Sequence, residues 1–318
     1  MSRASAPRPT RAPKLAPSQA FALGLLHGPS ELLPISSSAH TALVPWLAGW
    51  RYEELDPDLR KAFEVALHAG AALALLMRPP TERSCTKVGF LLAASTPPAL
   101  VGYALGDRVE RRLGTPATIA GGLLAGSAAI AAGEVLARRG ARGMGVRRGA
   151  RGMFSQKRGA TRARVRTRVA PAIDRHNTRT VEGAGWREGL ALGLAQSCAL
   201  IPGVSRNGAT IATARALGFS RLGADRLSWQ AGLPVIAAAT ALKGLQLTRR
   251  GTPLDLRAPF AAGATGSLLG TYAASTLLTP SRRTRLLGAC ALYRGALALL
   301  VVRRMRDNTD PYAQRSKK

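Results

Sequence analysis

The chain has 318 residues, 46% of them hydrophobic and 20% charged, with a formal net charge of +29. Its hydrophobicity is concentrated in blocks separated by short arginine-rich stretches, which argues for a polytopic helical membrane protein and against a soluble bundle. Three widely spaced cysteines, Cys85, Cys198 and Cys290, exclude a disulfide framework and a cysteine zinc site.

From the N-terminus, residues 1–19 combine Arg3, Arg8, Arg11 and Lys14 with four prolines and read as a disordered basic tail without a cleavable signal peptide. Apolar blocks follow near 20–26, 62–77, 88–106 and 115–137, and again near 187–201, 229–242, 258–278 and 286–302. Several fall short of the roughly 20 residues that span a bilayer, so tilted or re-entrant helices are expected. Runs such as "TIAGGLLAGSAAIAAGEVLA" (118–137) are rich in the small residues that let helices pack closely in lipid.

The blocks fall into two halves. "ALGLLHGPSELLPISSS" begins at Ala22 and "ALGLAQSCALIPGVSRN" at Ala191. Measured from Pro34 and Pro202, each places a serine three residues on, at Ser37 and Ser205. Halves of this kind commonly have inverted topology and bring broken helices together at the membrane midplane. The expected fold is therefore all-α, a polytopic membrane protein of two inverted-topology repeats, each with a re-entrant or broken helix and about three transmembrane helices. The first repeat covers 20–137 and the second 183–302, with a basic flexible loop over 138–182 and a basic tail over 303–318. Fourteen Lys or Arg lie between Arg138 and Arg179 without a binding fold or aromatic platform. This composition suits a solvated loop near anionic headgroups and not a nucleic-acid surface.

Polar chemistry concentrates in the two repeated segments. A charge at the bilayer centre costs on the order of 3 kcal/mol, which makes Glu31, Glu64, Arg206 and Arg294 functional candidates. For Glu64 and Arg294, a supporting ion-pair role weighs equally. "PGVSRNGAT" (202–210) has the composition of a phosphate clamp: a guanidinium at Arg206, polar side chains at Ser205 and Asn207, and glycines, including Gly203, that admit backbone N–H groups to an anion. A helix starting just after it would aim its N-terminus at that anion. "PISSSAH" (34–40) adds Ser36, Ser37, Ser38 and His40 as hydroxyl and acid–base groups. His27 and Glu31 are four apart and would share a helix face able to bind a cation, although Pro29 lies between them. His68 reads as a packing histidine on an apolar stretch.

"ELLPISSSAH" (31–40), "FEV" (63–65), "PGVSRNGATI" (202–211) and "LYR" (292–294) together resemble the motifs of the undecaprenyl-diphosphate phosphatases of the bacitracin-resistance type. The resemblance spans about 20–302 apart from the basic insert. It implies a multi-pass enzyme of the bacterial inner membrane that removes the terminal phosphate of a polyprenyl diphosphate. That reaction recycles the carrier of cell-wall synthesis and confers bacitracin resistance. It also implies a divalent cation, Mg²⁺ or Ca²⁺, with the lipid diphosphate, membrane lipids and a second copy of the chain as partners. Position by position, Glu31, Ser37, His40 and Arg206 match the family's acidic residue, serine, histidine and arginine. His27 stands where the family has Glu or Gln, and His68 where it has Gln. A neutral imidazole suits transition metals better than Mg²⁺ or Ca²⁺.

On this reading Arg206, Ser205, Asn207 and backbone N–H groups hold the phosphoryl group. Ser37 is the nucleophile or orients an attacking water, His40 accepts a proton, and Glu31 is a base or, with His27, a metal ligand. The rival is a polyprenyl-phosphate transporter or scramblase, which needs the anion clamp but not Glu31, Ser37 and His40.

Overall fold

A computed structural model describes residues 15–77, 87–152, 179–250 and 254–309. Among them the protein is helical, and the only β feature is an isolated bridge between Arg179 and Phe219. The helices are α1 (Pro17–Leu32), α2 (Ser37–Leu47), α3 (Pro57–Leu76), α4 (Val88–Leu113), α5 (Pro116–Gly152), α6 (Trp186–Cys198), α7 (Arg206–Ala216), α8 (Arg221–Arg250), α9 (Leu254–Leu277), α10 (Pro280–Arg285) and α11 (Leu287–Thr309). Two stretches, Val88–Gly106 and Pro116–Gly140, are long and apolar enough to cross a membrane. The helices α3, α8, α9 and α11 have the length but carry charges or many Gly, Ser and Thr. Leu92, Leu100 and Tyr103 of α4 and Leu292, Leu299 and Leu300 of α11 are exposed, an outward apolar surface that suits lipid.

Some expected boundaries shift. Helix α1 starts at Pro17, inside the expected tail; α5 continues to Gly152, so the basic stretch from 138 begins as helix; α11 continues to Thr309. The remainder of the expected tails and loop, 1–14, 153–178 and 310–318, lies outside the described residues.

Proline placement sets the local breaks. Pro17 occupies the first turn of α1, where a missing N–H costs nothing. Leu33, next to Pro34, is pushed into extended backbone and ends the helix. Pro29, in contrast, is accommodated within α1. It cannot donate to the carbonyl of Leu25, and bare Gly270 of α9 packs against that oxygen, leaving a built Cβ only 2.5 Å from it. His27 and Glu31 therefore share one continuous helix.

Close glycine contacts carry the packing. Helix α1 lies on α9, which also packs on α3; a Cβ on Gly24 would overlap the Gly263 carbonyl, and one on Gly28 the backbone of Gly270 and Thr271. Helix α6 of the second half lies on α4 of the first, with Gly189 against the Phe90 carbonyl. Helix α5 packs on α11 and α7. Buried apolar clusters form around Phe90, Leu192 and Phe219, around Leu23, Phe63 and Leu67, and around Leu43, Leu123 and Val301.

Candidate active site

Two short helices start at one cavity. Ser36 is the N-cap of α2 with φ 75°, and Ser205 is the N-cap of α7 with φ 70°; these are the non-glycine positive-φ residues among those described. Their hydroxyls accept from Ala39 N and Gly208 N respectively. Ser36 and Ser205 are separated by the same offset as Ala22 and Ala191, so Ser36 is the structural counterpart of Ser205, and Ser37 of Arg206. This corrects the alignment made from the prolines by one residue: the serine caps, not Pro34 and Pro202, occupy equivalent places. Backbone in this sparsely populated region costs on the order of 1–3 kcal/mol and recurs at functional sites.

One buried arginine fixes both turns. The Arg294 side chain, on α11, donates to the carbonyl oxygens of Pro34 (2.9 Å), Gly203 (2.8 Å) and Val204 (2.8 Å), and at 3.3 Å to Leu123. Gly126 of α5 makes room for its guanidinium. Arg294 is thus an anchor of the site's walls. Gly203 serves the same anchoring: its φ is 94° and it packs against the Ile119 carbonyl, outside the cavity lining.

The cavity between the turns has a volume of about 270 Å³. Ser30, Glu31, Ser36, Ser37, Ser38 and His68 line it from the first half. Ser205, Arg206 and Asn207 face them, and Val235, Ile236 and Ala239 of α8 form an apolar wall. Glu31 bridges the halves. Its Oε2 accepts from the Ser37 hydroxyl at 2.8 Å, and its Oε1 from Arg206 Nη2 at 2.9 Å. The Arg206 guanidinium lies against Gly232, where a Cβ would collide with it, and 5.8 Å from the Trp229 ring centroid. Arg206 Nη1 is buried with no hydrogen-bond partner.

Three assignments from the sequence change. His40 does not reach Ser37: its Nδ1 pairs with the Ser36 carbonyl at 2.7 Å and its Nε2 with the Tyr293 hydroxyl at 2.7 Å. A carbonyl cannot donate, so Nδ1 carries the proton and Nε2 accepts from Tyr293. Asn207 spends its side chain on the fold, donating to the Leu32 carbonyl and accepting from Ser228. One side-chain N–H and its backbone N–H are what it has left for an anion. His68 is no satisfied packing residue: it lines the cavity, its Nδ1 is buried without a partner, and its ring stands edge-on to His27 at 4.7 Å. Glu64 lies outside the cavity lining.

Tyr293, Trp229 and Ser267 were not singled out by the sequence. Tyr293 adjoins Arg294 in "LYR", the one local signal for it; Trp229 and Ser267 sit in stretches with no motif.

His27, Glu31 and His68 bring one potential ligand atom each to within 4.8 Å of one another. Mg²⁺ and Ca²⁺ call for six or more oxygen ligands. This cluster offers two imidazoles and a single carboxylate, so most of its donors are nitrogen. The donor set does not fit either ion.

The bacitracin resistance protein BacA family matches residues 20–300. The undecaprenyl-diphosphatase of Thermomicrobium roseum is 33% identical over 304 residues, covering 89% of this chain and 96% of that protein. The undecaprenyl-diphosphatase of Geobacter sulfurreducens is 35% identical over 277 residues, covering 81% and 87%. That of Gemmatimonas aurantiaca is 32% identical over 311 residues, covering 92% and 98%.

Proposed function

The chain belongs to the bacitracin resistance protein BacA family, and from that premise we propose that it hydrolyses undecaprenyl diphosphate to undecaprenyl phosphate and inorganic phosphate. The observation that carries the catalytic reading is Glu31, which ties a hydroxyl from one repeated segment to a guanidinium from the other.

The terminal phosphoryl group sits between the starts of α2 and α7. The first backbone N–H groups of a helix lack intrahelical partners and face an anion there, and the helix dipoles add to them. Arg206 contributes its unpartnered Nη1. Such fixed donors stabilise the charge on a transferring phosphoryl group without reorganising. Ser37 Oγ attacks the terminal phosphorus and its proton passes to Glu31 Oε2. The bond to the bridging oxygen breaks, and undecaprenyl phosphate leaves as a stable anion that needs no general acid. Water then cleaves the phosphoserine: Glu31 returns its proton to the leaving Ser37 Oγ, takes one from the attacking water and passes that one to bulk solvent as phosphate is released. His40 is a positioning residue: it holds the Ser36 carbonyl to Tyr293 at the start of α2. The apolar wall of α8 suits the isoprenoid end of the substrate.

The repeats are read as two inverted-topology halves that interlock within a bacterial cell membrane, crossing it several times. Supporting this, two of the main helix pairings persist when the halves are exchanged: α1 on α9 becomes α6 on α4, and α5 on α11 maps onto itself. Carrier recycling for cell-wall synthesis and bacitracin resistance follow from the reaction.

The test is phosphate release from undecaprenyl diphosphate by the purified protein beside Ser37→Ala and Arg206→Ala. Losing the arginine should cost about 10³-fold or more. Acid quenching with substrate labelled at the terminal phosphate should trap label on the wild-type chain and none on Ser37→Ala. A transporter or scramblase would release no phosphate, and an attack by water would leave no label.

A further inference from the structure

We propose that His27, His68 and Glu31 form a binding site for a nitrogen-preferring divalent metal ion of the zinc class. The inference rests on the phosphatase reading for its purpose, and on the donor atoms alone for its ligands.

The hydrogen bonds fix how His27 presents itself. Ser267 gives its only hydroxyl proton to the Leu67 carbonyl at 2.7 Å. Its oxygen can then only accept from His27 Nδ1, 3.1 Å away. His27 Nδ1 therefore carries the proton, which leaves the lone pair on Nε2. This imidazole, hydrogen-bonded on one nitrogen and open on the other, matches the outer-shell arrangement that orients metal-ligating histidines.

The other two members converge on it. His68 comes from α3 with a buried, unpartnered Nδ1, and Glu31 lies one helical turn beyond His27 on α1. A cation among them would engage the Lewis-basic atoms that these side chains bring together. Two imidazoles and one carboxylate are a zinc-class set: three protein ligands with a further position left for water or substrate. With tetrahedral metal–ligand bonds of about 2.1 Å, donors lie roughly 3.4 Å apart. The cluster, whose atoms lie within 4.8 Å, needs a closure of at most about 1.4 Å. Glu31 also touches Ser37 and Arg206, so the ion would sit next to the proposed phosphoryl position.

The experiment uses full-length protein in detergent micelles, without a polyhistidine tag, stripped with a chelator and titrated with Co²⁺. The expected result is the visible d–d absorption of nitrogen-ligated Co²⁺ at one ion per chain, displaced by equimolar Zn²⁺ and retained in a large excess of Mg²⁺. His27→Gln and His68→Gln should each weaken Co²⁺ binding by more than about tenfold, and Ser267→Ala by about 10–100-fold through its hold on His27. All three should elute monodisperse. No d–d absorption, absorption unaltered in both histidine variants, or displacement by Mg²⁺ would overturn the site. Phosphate release measured on the same samples separates the two readings. Hydrolysis in metal-free protein that binds no Co²⁺ refutes the metal site and leaves the phosphatase; stoichiometric binding without hydrolysis supports the site and refutes the phosphatase.

Discussion

Replacing Arg294 by lysine keeps the charge and removes the geometry. The guanidinium reaches Pro34 on one side and Gly203 and Val204 on the other, at 2.8 to 2.9 Å. An ammonium is a compact donor on a flexible stem and cannot span both turns. Lysine should therefore lose one or two of the three short bonds. Each hydrogen bond to a charged group contributes about 1.5–3 kcal/mol, so the loss should be about 2–6 kcal/mol. Because the bonds hold the starts of α2 and α7 in register, displacement of either turn by an ångström should also lower kcat by about 10²-fold. Stability is measured by equilibrium unfolding in mixed detergent micelles, and kcat by phosphate release. If Arg294→Lys unfolds within about 0.5 kcal/mol of wild type and keeps its kcat, the turns are held by something else and the anchoring argument fails.

Glu31→Gln removes the proposed proton acceptor of Ser37 and should lower kcat by about 10²–10⁴-fold; initial rates on a monodisperse sample check this, and an unchanged kcat would show that Glu31 is no base. Tyr293→Phe leaves His40 Nε2 without its donor, so stability should fall by about 1–3 kcal/mol. Its kcat should fall far less than that of Ser37→Ala, and an equal loss would mean that His40 and Tyr293 take part in the chemistry. Gly28→Ala forces a methyl group into the backbone of Gly270 and Thr271 and should destabilise by about 1–3 kcal/mol or more. Gly295→Ala, whose added Cβ would meet nothing within 4 Å, should be neutral or stabilising by up to about 1 kcal/mol in the same unfolding assay.

The parts of the site legible in sequence are those fixed by local chemistry. Pro34 ends α1 through its effect on Leu33, and the small and hydroxyl residues after Pro202 lead into α7 at Arg206. Glu31, Ser37 and Arg206 lie near these breaks, so their meeting follows from both turns facing one cavity. The misread residues have distant partners. His40 looked like the base for Ser37 because it is near in sequence, but Tyr293 claims it from α11. Asn207, an anion donor by composition, gives one amide N–H to the Leu32 carbonyl and its amide oxygen to Ser228. His68 stands alone on α3 and gains meaning only beside His27. Proline spacing misplaces the register of the repeated segments by one residue. A serine cap at positive φ fixes the chain there, and composition carries no signal for that conformation.

Each half of the molecule is completed by the other. The turn before α2 belongs to the first half but is held by Arg294 from the last helix, which holds the turn before α7 with the same guanidinium. Glu31, from the first half, ties its own Ser37 to Arg206 of the second. His27 is set by Ser267 of α9 and faces His68 of α3. Neither half of the chain could assemble the cavity alone, since each supplies donors whose orientation depends on a carbonyl or hydroxyl of the other. The glycine seam between α1 and α9 belongs to the same logic. Bringing Ser267 within reach of His27 requires the two backbones to approach in a way that only residues without a Cβ permit, as at Gly24, Gly28, Gly266 and Gly270. Small residues, which let helices pack closely in lipid, are thus also what allows the site to close.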